Sequence, residues 1–504
     1  IGRNRHIAWG MTNVGADVED LYRERLDVAG AAAEFRGTFE PMTRIAETIK
    51  VKGEPDVTLT VRVTRHGPLV SDALNANNAD LPADKRGAVL DPLAFRWTAL
   101  DAADDSAYAL SLINAAHNWD EFRGALRHFV APSQNFIYAD TEGHIGYQVP
   151  GHIPVRARGD GSAPAEGWTG DAEWTGWIPF DQLPHTFDPP THMVVTANHR
   201  VMPADYPYVI ATDWPEPYRG QRITDLITGA QKKLTPDDMA RIQADTLSLH
   251  ASAMLPVLLK RAKPTPGPDT QAVERLKAWN LDASANSIAM TIFEAWYLRL
   301  VPAIAGDELG PRALTLYKGR YASGTRFLLR QLTSGESPWC DDVRTPEKET
   351  CDAVVTTALH DAVEFLTQKY GRDPELWKWG QVHAAVFPHQ GLDAVGPLRP
   401  LLSRKVASAG DWSTVDVGSA SAERPFDQTA IPGYRQILDL SAAGDNRFLQ
   451  AVGQSGHFLS KQYDDFLRDW RLVKHRRMRF ERTDAEQDAM GTLHLVPAAP
   501  QRRP

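Results

Sequence analysis

The sequence predicts an α+β chain in which a helical insertion separates two halves of a sheet system. Three observations carry this reading. Alternating, β-branched runs dominate residues 1–234. Helical periodicity takes over in residues 235–375, after a capped start. Residues 376–504 return to short strand-like segments, then a helix around Trp470 and a charged tail.

In the first part, HIAW at residues 6–9 is an apolar strand feeding a compact loop. VTLTVRVTRHGPLV, at residues 57–70, alternates and is rich in β-branched side chains. AFRWTALD and NFIYADTEGHIGYQVPGHIPVR follow, the latter with a hairpin turn at Asp140-Thr141-Glu142-Gly143. GWTGDAEWTGWIPFDQLP repeats Trp-Thr-Gly and reads as loop and short strand. At the start of the insertion Thr235 can cap, Pro236 suits the first turn, and Asp237 and Asp238 favour the positive end of the helix dipole. The helical run is expected to continue to about residue 262, where KPTPGPDT breaks it. SIAMTIFEAWYLRLVPAIAG reads as a buried helix, because Glu294 and Arg299 interrupt it as a membrane span. VGSAS, GYRQILDLSAAG and NRFLQAVGQSGH are the strands of the last part.

With 42% apolar and 24% charged residues the chain is of ordinary globular composition. Its net charge of −9 disfavours nucleic acid as a partner. The basic stretch at residues 474–477 reads as a solvated helix end or a salt-bridged face. Only two cysteines occur, Cys340 and Cys351. A pair this close around a polar loop can close a small surface disulfide, which would indicate an oxidising compartment. Two reduced thiols are the alternative.

Most catalytic signatures are absent. Gly453-Gln454-Ser455-Gly456-His457 is not a nucleophile elbow, and there is no H-E-x-x-H, P-loop or full G-x-G-x-x-G. His383 and His389 read as structural, and the 14 tryptophans as core and strand-face aromatics, although they could line a sugar-binding surface. Two local features point to chemistry. Asp17, Glu19 and Asp20 crowd like charges onto a turn after a strand. Hard oxygen donors at this density suit Ca²⁺; a solvated turn, or pairing with Arg23 and Arg25, is the alternative. In MVVTANHRVMPADYPYVIATDWPEPYRGQRITDLI, a strand ends at Asn198, and Arg219 and Arg222 open a helix. An amide at a strand end can donate to a developing oxyanion, or cap the loop.

Together these places resemble the penicillin acylase (penicillin amidase) family of N-terminal-nucleophile hydrolases. The resembling segments run through the chain in order: IGRNRHIAWGMTNVGADVEDLYRERL, RHGPLV, FRWTALD, PSQNFIYADTEGHIGYQVPGHIPVR, GWTGDAEWTGWIPFDQLP, VVTANHRV, DWPEPYRGQRITDLI, WCDDVRTPEKETCD, WKWGQVH, GYRQILDL and GQSGHFLSKQYDDFLRDW. The resemblance implies a four-layer αββα sandwich and cleavage of N-acyl amides through an acyl-enzyme on an N-terminal Ser. It implies that Asn13 offers a backbone N–H to the oxyanion, that Asn198 offers its side chain, and that Arg219, or in another register Arg222, lies near the nucleophile's amine. Asp17, Glu19 through its carbonyl, Asp20 and Asp213 match a structural Ca²⁺ site. Gln134 and Asn135 would border the acyl pocket. Ile1 has no hydroxyl or thiol, so the family's Ser is expected ahead of it. The chain thus reads as most of a β subunit, inactive alone, whose partners are an α subunit and the missing N-terminal part of the β subunit. A periplasmic or secreted location is implied. A non-catalytic member that binds an acylated ligand, or serves as a structural subunit, is the alternative.

Overall fold

The computed structural model describes residues 1–80, 86–318, 321–420, 424, 426–441, 444–487 and 489–496. The chain divides into two compact units, Ile1–Gly220 and Gln221–Pro504.

The first unit is built on a five-stranded antiparallel sheet in the order Gly2–Arg3, Ile7–Asn13, Gln134–Asp140, Ile145–Gln148, His185–Phe187. Side chains alternate between its faces. Ile7, Trp9, Phe136 and Tyr138 point to one face and share a core with Ile113, Phe122 and Leu126 of two helices. Those helices, Ser106–Ala115 and Trp119–Leu126, and a third, Val70–Ala79, lie within the stretch expected to be strands and loops. Asn118 caps the second by accepting from Glu121 N at 3.0 Å. The opposite face carries Thr12, Asn135 and Tyr147, near a second core around Val149, Ile153, Ile178 and Met202. The expected hairpin turn at residues 140–143 is present, held by the Asp140 carboxylate accepting from Glu142 N and His144 N, each at 2.9 Å. In a separate sheet, Glu19–Arg23 lies between Leu93–Trp97 and Ala165–Glu166. Thr43–Ile49 and Val57–Thr64 pair as an antiparallel ribbon.

The second unit contains both the helical stretch and the returning strands. The capping box at Thr235 and Asp238 opens the helix Pro236–Gln243 as expected. The run does not continue unbroken to 262. It stops at Gln243 and restarts as Leu249–Arg261, because the Ser248 hydroxyl accepts from Ala251 N at 3.1 Å and caps a new helix. The long helix Ile288–Lys318 buries Met290, Phe293, Trp296 and Leu300 in the main core of this unit. It is long and apolar enough to cross a membrane by length and composition alone. Gly310, at φ 67°, breaks it. Cys340 and Cys351 form a disulfide with Cα atoms 5.0 Å apart, before the helix Cys351–Tyr370. Two small sheets complete the unit. One runs Arg404–Ala407, Ala384–Phe387, Gln428–Ala430, Ser419–Ala420; the other runs Tyr434–Ile437, Arg447–Gln450, Arg476–Arg477. Trp470 lies in the short helix Leu467–Arg471. The basic stretch is salt-bridged: Arg476 pairs with Asp465 at 2.7 Å and Asp469 at 2.9 Å. His383 is buried and stacked on Trp379.

Candidate active site

The strand Ile7–Asn13 ends where three polar side chains meet. The Asn13 carbonyl accepts from Asn198 Nδ2 at 3.0 Å and from Asn135 Nδ2 at 3.2 Å. Arg219 Nη2 in turn donates to Asn198 Oδ1 at 2.9 Å. A guanidinium can only donate, so it fixes which end of the amide is oxygen and turns the nitrogen toward the strand end. Asn198 takes a left-handed backbone, φ 67°, which asparagine tolerates better than most residues. Burial presses the Arg219 pKa below its ordinary value, and burial together with Arg219 does the same to His199. A Cβ on Gly220 would stand 2.4 Å from His199 Cε1, so the helix Tyr218–Thr228 can start here only with a glycine beside Arg219. Arg222 is engaged elsewhere, in a two-point bond to Asp245 at 2.7 and 2.9 Å.

Asn135 is fully buried and bonds the strand end. It pairs with Thr12 across the ladder, and its Nδ2 also donates to Thr12 Oγ1 at 3.1 Å. Thr12 Oγ1 in turn donates to Thr196 Oγ1 at 3.0 Å. Tyr147 donates to Asn135 Oδ1 at 2.6 Å, and burial holds its phenol protonated by raising its pKa. Gln134, also buried, donates to the Pro132 carbonyl at 3.3 Å.

The acidic loop follows directly. Arg23 and Arg25 do not serve it: they pair with Glu166 and Glu34. Its cation is Arg156, whose Nε meets Asp20 Oδ2 at 2.8 Å and whose Nη2 meets Asp17 Oδ1 at 3.4 Å and the Asp17 carbonyl at 3.2 Å. Trp174 also donates to Asp20 Oδ2. Burial raises the Asp17 pKa, with Arg156 opposing and Asp20 and Asp160 adding to the rise. The Glu19 carboxylate is exposed, and only its main chain belongs to the loop. Asp213 lies three residues past Ile210, whose carbonyl accepts from Asp17 N at 2.7 Å. Among the described residues, no three His, Cys, Asp or Glu side chains form a metal-holding group. The fit to a hard cation is therefore partial. Asp17 and Asp20 supply two carboxylates, a Cβ on Gly161 would lie 2.7 Å from Asp20 Oδ1, and main-chain carbonyls would have to complete the shell.

Sequence reasoning missed Thr12, Tyr147 and Arg156. Tyr147 and Arg156 lie in segments singled out above; the sheet register brings Tyr147 near Asn135, and a long-range side-chain bond joins Arg156 to Asp20.

The penicillin amidase family model matches residues 1–487. The chain belongs to the penicillin amidase family. An acyl-homoserine lactone acylase, QuiP, of Pseudomonas aeruginosa is 30% identical over 93% of this chain and 59% of its own length. Penicillin acylase 2 proenzyme of Pseudomonas sp. strain SE83 is 29% identical over 98% of this chain and 61% of its own. This penicillin amidase family member thus spans about three fifths of the length of these relatives. The thermostable penicillin G acylase of Alcaligenes faecalis superposes with a TM-score of 0.74 at 21% identity, covering 99% of this chain and 90% of that one. The α+β fold is accordingly that of the Ntn hydrolases.

Proposed function

We propose that this chain is the β-subunit portion of an amidohydrolase that cleaves N-acyl amides, acyl-homoserine lactones being the first candidates. The observation that carries the reading is the meeting of the Asn198 amide with the main chain of Asn13, under the orientation imposed by Arg219. An N-terminal Ser from a segment outside this chain adds its hydroxyl to the amide carbonyl. Asn13 N–H and the second Asn198 Nδ2 proton donate to the oxyanion that forms. The amine leaves with a proton, and water releases the acid from the ester. An α subunit and the first strands of the β subunit complete the site. The support is the family, the relatives' names and their greater length.

A Ca²⁺ ion is proposed beside Asp17 and Asp20, with carbonyls including that of Glu19, and Asp213 from the loop after Ile210. When bound it supplies charge neutralisation for the loop. The proposed location is periplasmic or secreted, in line with the disulfide.

The test compares the 504-residue chain with the complete processed enzyme on p-nitroanilide and acyl-homoserine lactone substrates. Turnover by the enzyme and none by the chain is expected; turnover by the chain above a denatured control sinks the assignment of the nucleophile. Asn198→Ala in the enzyme is expected to lower kcat by about 10²–10³. For calcium, EDTA is expected to lower the chain's Tm and added Ca²⁺ to restore it.

A further inference from the structure

We propose that Asn135, oriented by Tyr147, is a positioning residue for the oxyanion end of the Ile7–Asn13 strand. The proposal rests on the functional reading above. Two amides reach the same Asn13 carbonyl from different elements, Asn198 from the loop and Asn135 from the neighbouring strand. Each has its oxygen claimed by a donor, Arg219 for Asn198 and Tyr147 for Asn135. A flipped Asn135 would set its oxygen against the Asn13 carbonyl, which can only accept, and would give up the bond its oxygen takes from Tyr147. The Asn13 carbonyl disfavours that flip, and the Tyr147 hydroxyl, donating to Oδ1, holds the amide from its other end. Tyr147 can do this because it pairs with Ile137, two residues along from Asn135 and on the same face of the sheet.

The consequence falls on the peptides either side of Asn13. The carbonyl held by both amides belongs to the Asn13–Val14 plane, whose N–H reaches only a long bond to the Ser133 carbonyl, at 3.4 Å. The preceding Thr12–Asn13 plane carries the N–H assigned to the oxyanion. Thr12 is held by Asn135 on one side and bonded to Thr196 on the other. Asn135 therefore grips both flanks of the donor. It is fully buried and its side chain bonds Thr12, Asn13 and Tyr147, so its effect passes through Asn13.

The test uses Tyr147→Phe, which keeps the ring packing, and Asn135→Ser. In the complete processed enzyme, Y147F is expected to lower kcat about tenfold and N135S about a hundredfold, with KM within about twofold and Tm nearly unchanged for Y147F. Because both amides hold one carbonyl, N135S combined with Asn198→Ala is expected to cost less than the product of the two. In the 504-residue chain, amide exchange at Val14 is expected to rise about tenfold in both variants, with Phe136 and Tyr138 unchanged. Unchanged kcat in both variants overturns the proposal, as does exchange that rises along the whole ladder. If the wild-type enzyme cleaves no N-acyl amide, the functional reading fails separately, and Val14 exchange alone decides whether the clamp exists.

Discussion

Arg219 Nη2 lies 2.9 Å from Asn198 Oδ1, so a group that can only donate sets the direction of the amide beside the Asn13 carbonyl. Replacing it by methionine keeps much of the volume and removes the donor. The Asn198 amide then loses the donor that anchors its oxygen and keeps only its nitrogen's bond to the Asn13 carbonyl to orient it. Arg219→Met in the complete enzyme is expected to cost about 10–10² in kcat, below the loss expected when the amide itself is deleted. Steady-state kinetics with a Tm control checks this; a loss confined to KM would assign Arg219 to substrate binding.

His66 lies between two carboxylates, Glu24 at 2.8 Å from Nδ1 and Glu173 at 2.7 Å from Nε2, fully buried and stacked on Tyr22. Burial alone would lower its pKa, but the bonds to Glu173 and Glu24 outweigh this and raise it above 6.5. A raised imidazole stabilises the fold fully below the unfolded value, and this is lost as pH rises through the folded one. The chain is therefore expected to lose stability as pH climbs above 6.5. His66→Gln is expected to cost about 3 kcal/mol at about pH 6 and less at higher pH. Denaturant melts across that range measure it; a constant difference would remove His66 as the titrating group.

Glu294 is buried in the helical core of the second unit, and burial, with Asp411 adding to it, raises its pKa well above 4.5. The sign is opposite to that of a paired surface carboxylate. The folded state keeps a proton that the unfolded chain releases above 4.5, so stability falls as pH rises past that value. Glu294→Gln has the same shape and no proton to lose. It is expected to be more stable than the native chain by about 1–2 kcal/mol at about pH 8, with the gap closing at about pH 4.

The Cys340–Cys351 bridge closes a loop with a sequence separation of 11. The chain-entropy model gives about 3 kcal/mol for a ring of that size. Reduction, or the Cys340→Ser and Cys351→Ser pair, is expected to lower stability by that order. Tm with and without reductant checks it; an unchanged Tm would show that the unfolded chain gains nothing from the opened loop.

Features set by neighbours in sequence were readable from it. The hairpin at Asp140 and the capping box at Thr235 and Asp238 each announce themselves within a few residues, and both are present. The helix Ser106–Ala115 was not readable: AYALSLINA is apolar on more than one face and has no capping side chain. The acidic loop shows the limit for a site. Charge in the sequence pointed to Arg23 and Arg25 as partners, yet the guanidinium that binds Asp17 and Asp20 arrives 136 residues after Asp20. Asn135 was singled out in the sequence only as a residue bordering an expected pocket. Its function as a grip was not readable, because it depends on Tyr147 sitting diagonally across a hairpin.

Seven consecutive pairs join the strands at the centre of the first unit, from Ile7 opposite Asp140 to Asn13 opposite Gln134. A slip of either strand by one residue would turn every side chain of that strand to the other face. It would drive Trp9 out of the core if the first strand moved, or Tyr138 if the second did, and carry Asn135 away from Thr12. The aromatic packing at one end of this ladder thus acts as a vernier for the other: greasy side chains several residues away choose, to within a single notch, where the Asn13 peptide comes to rest.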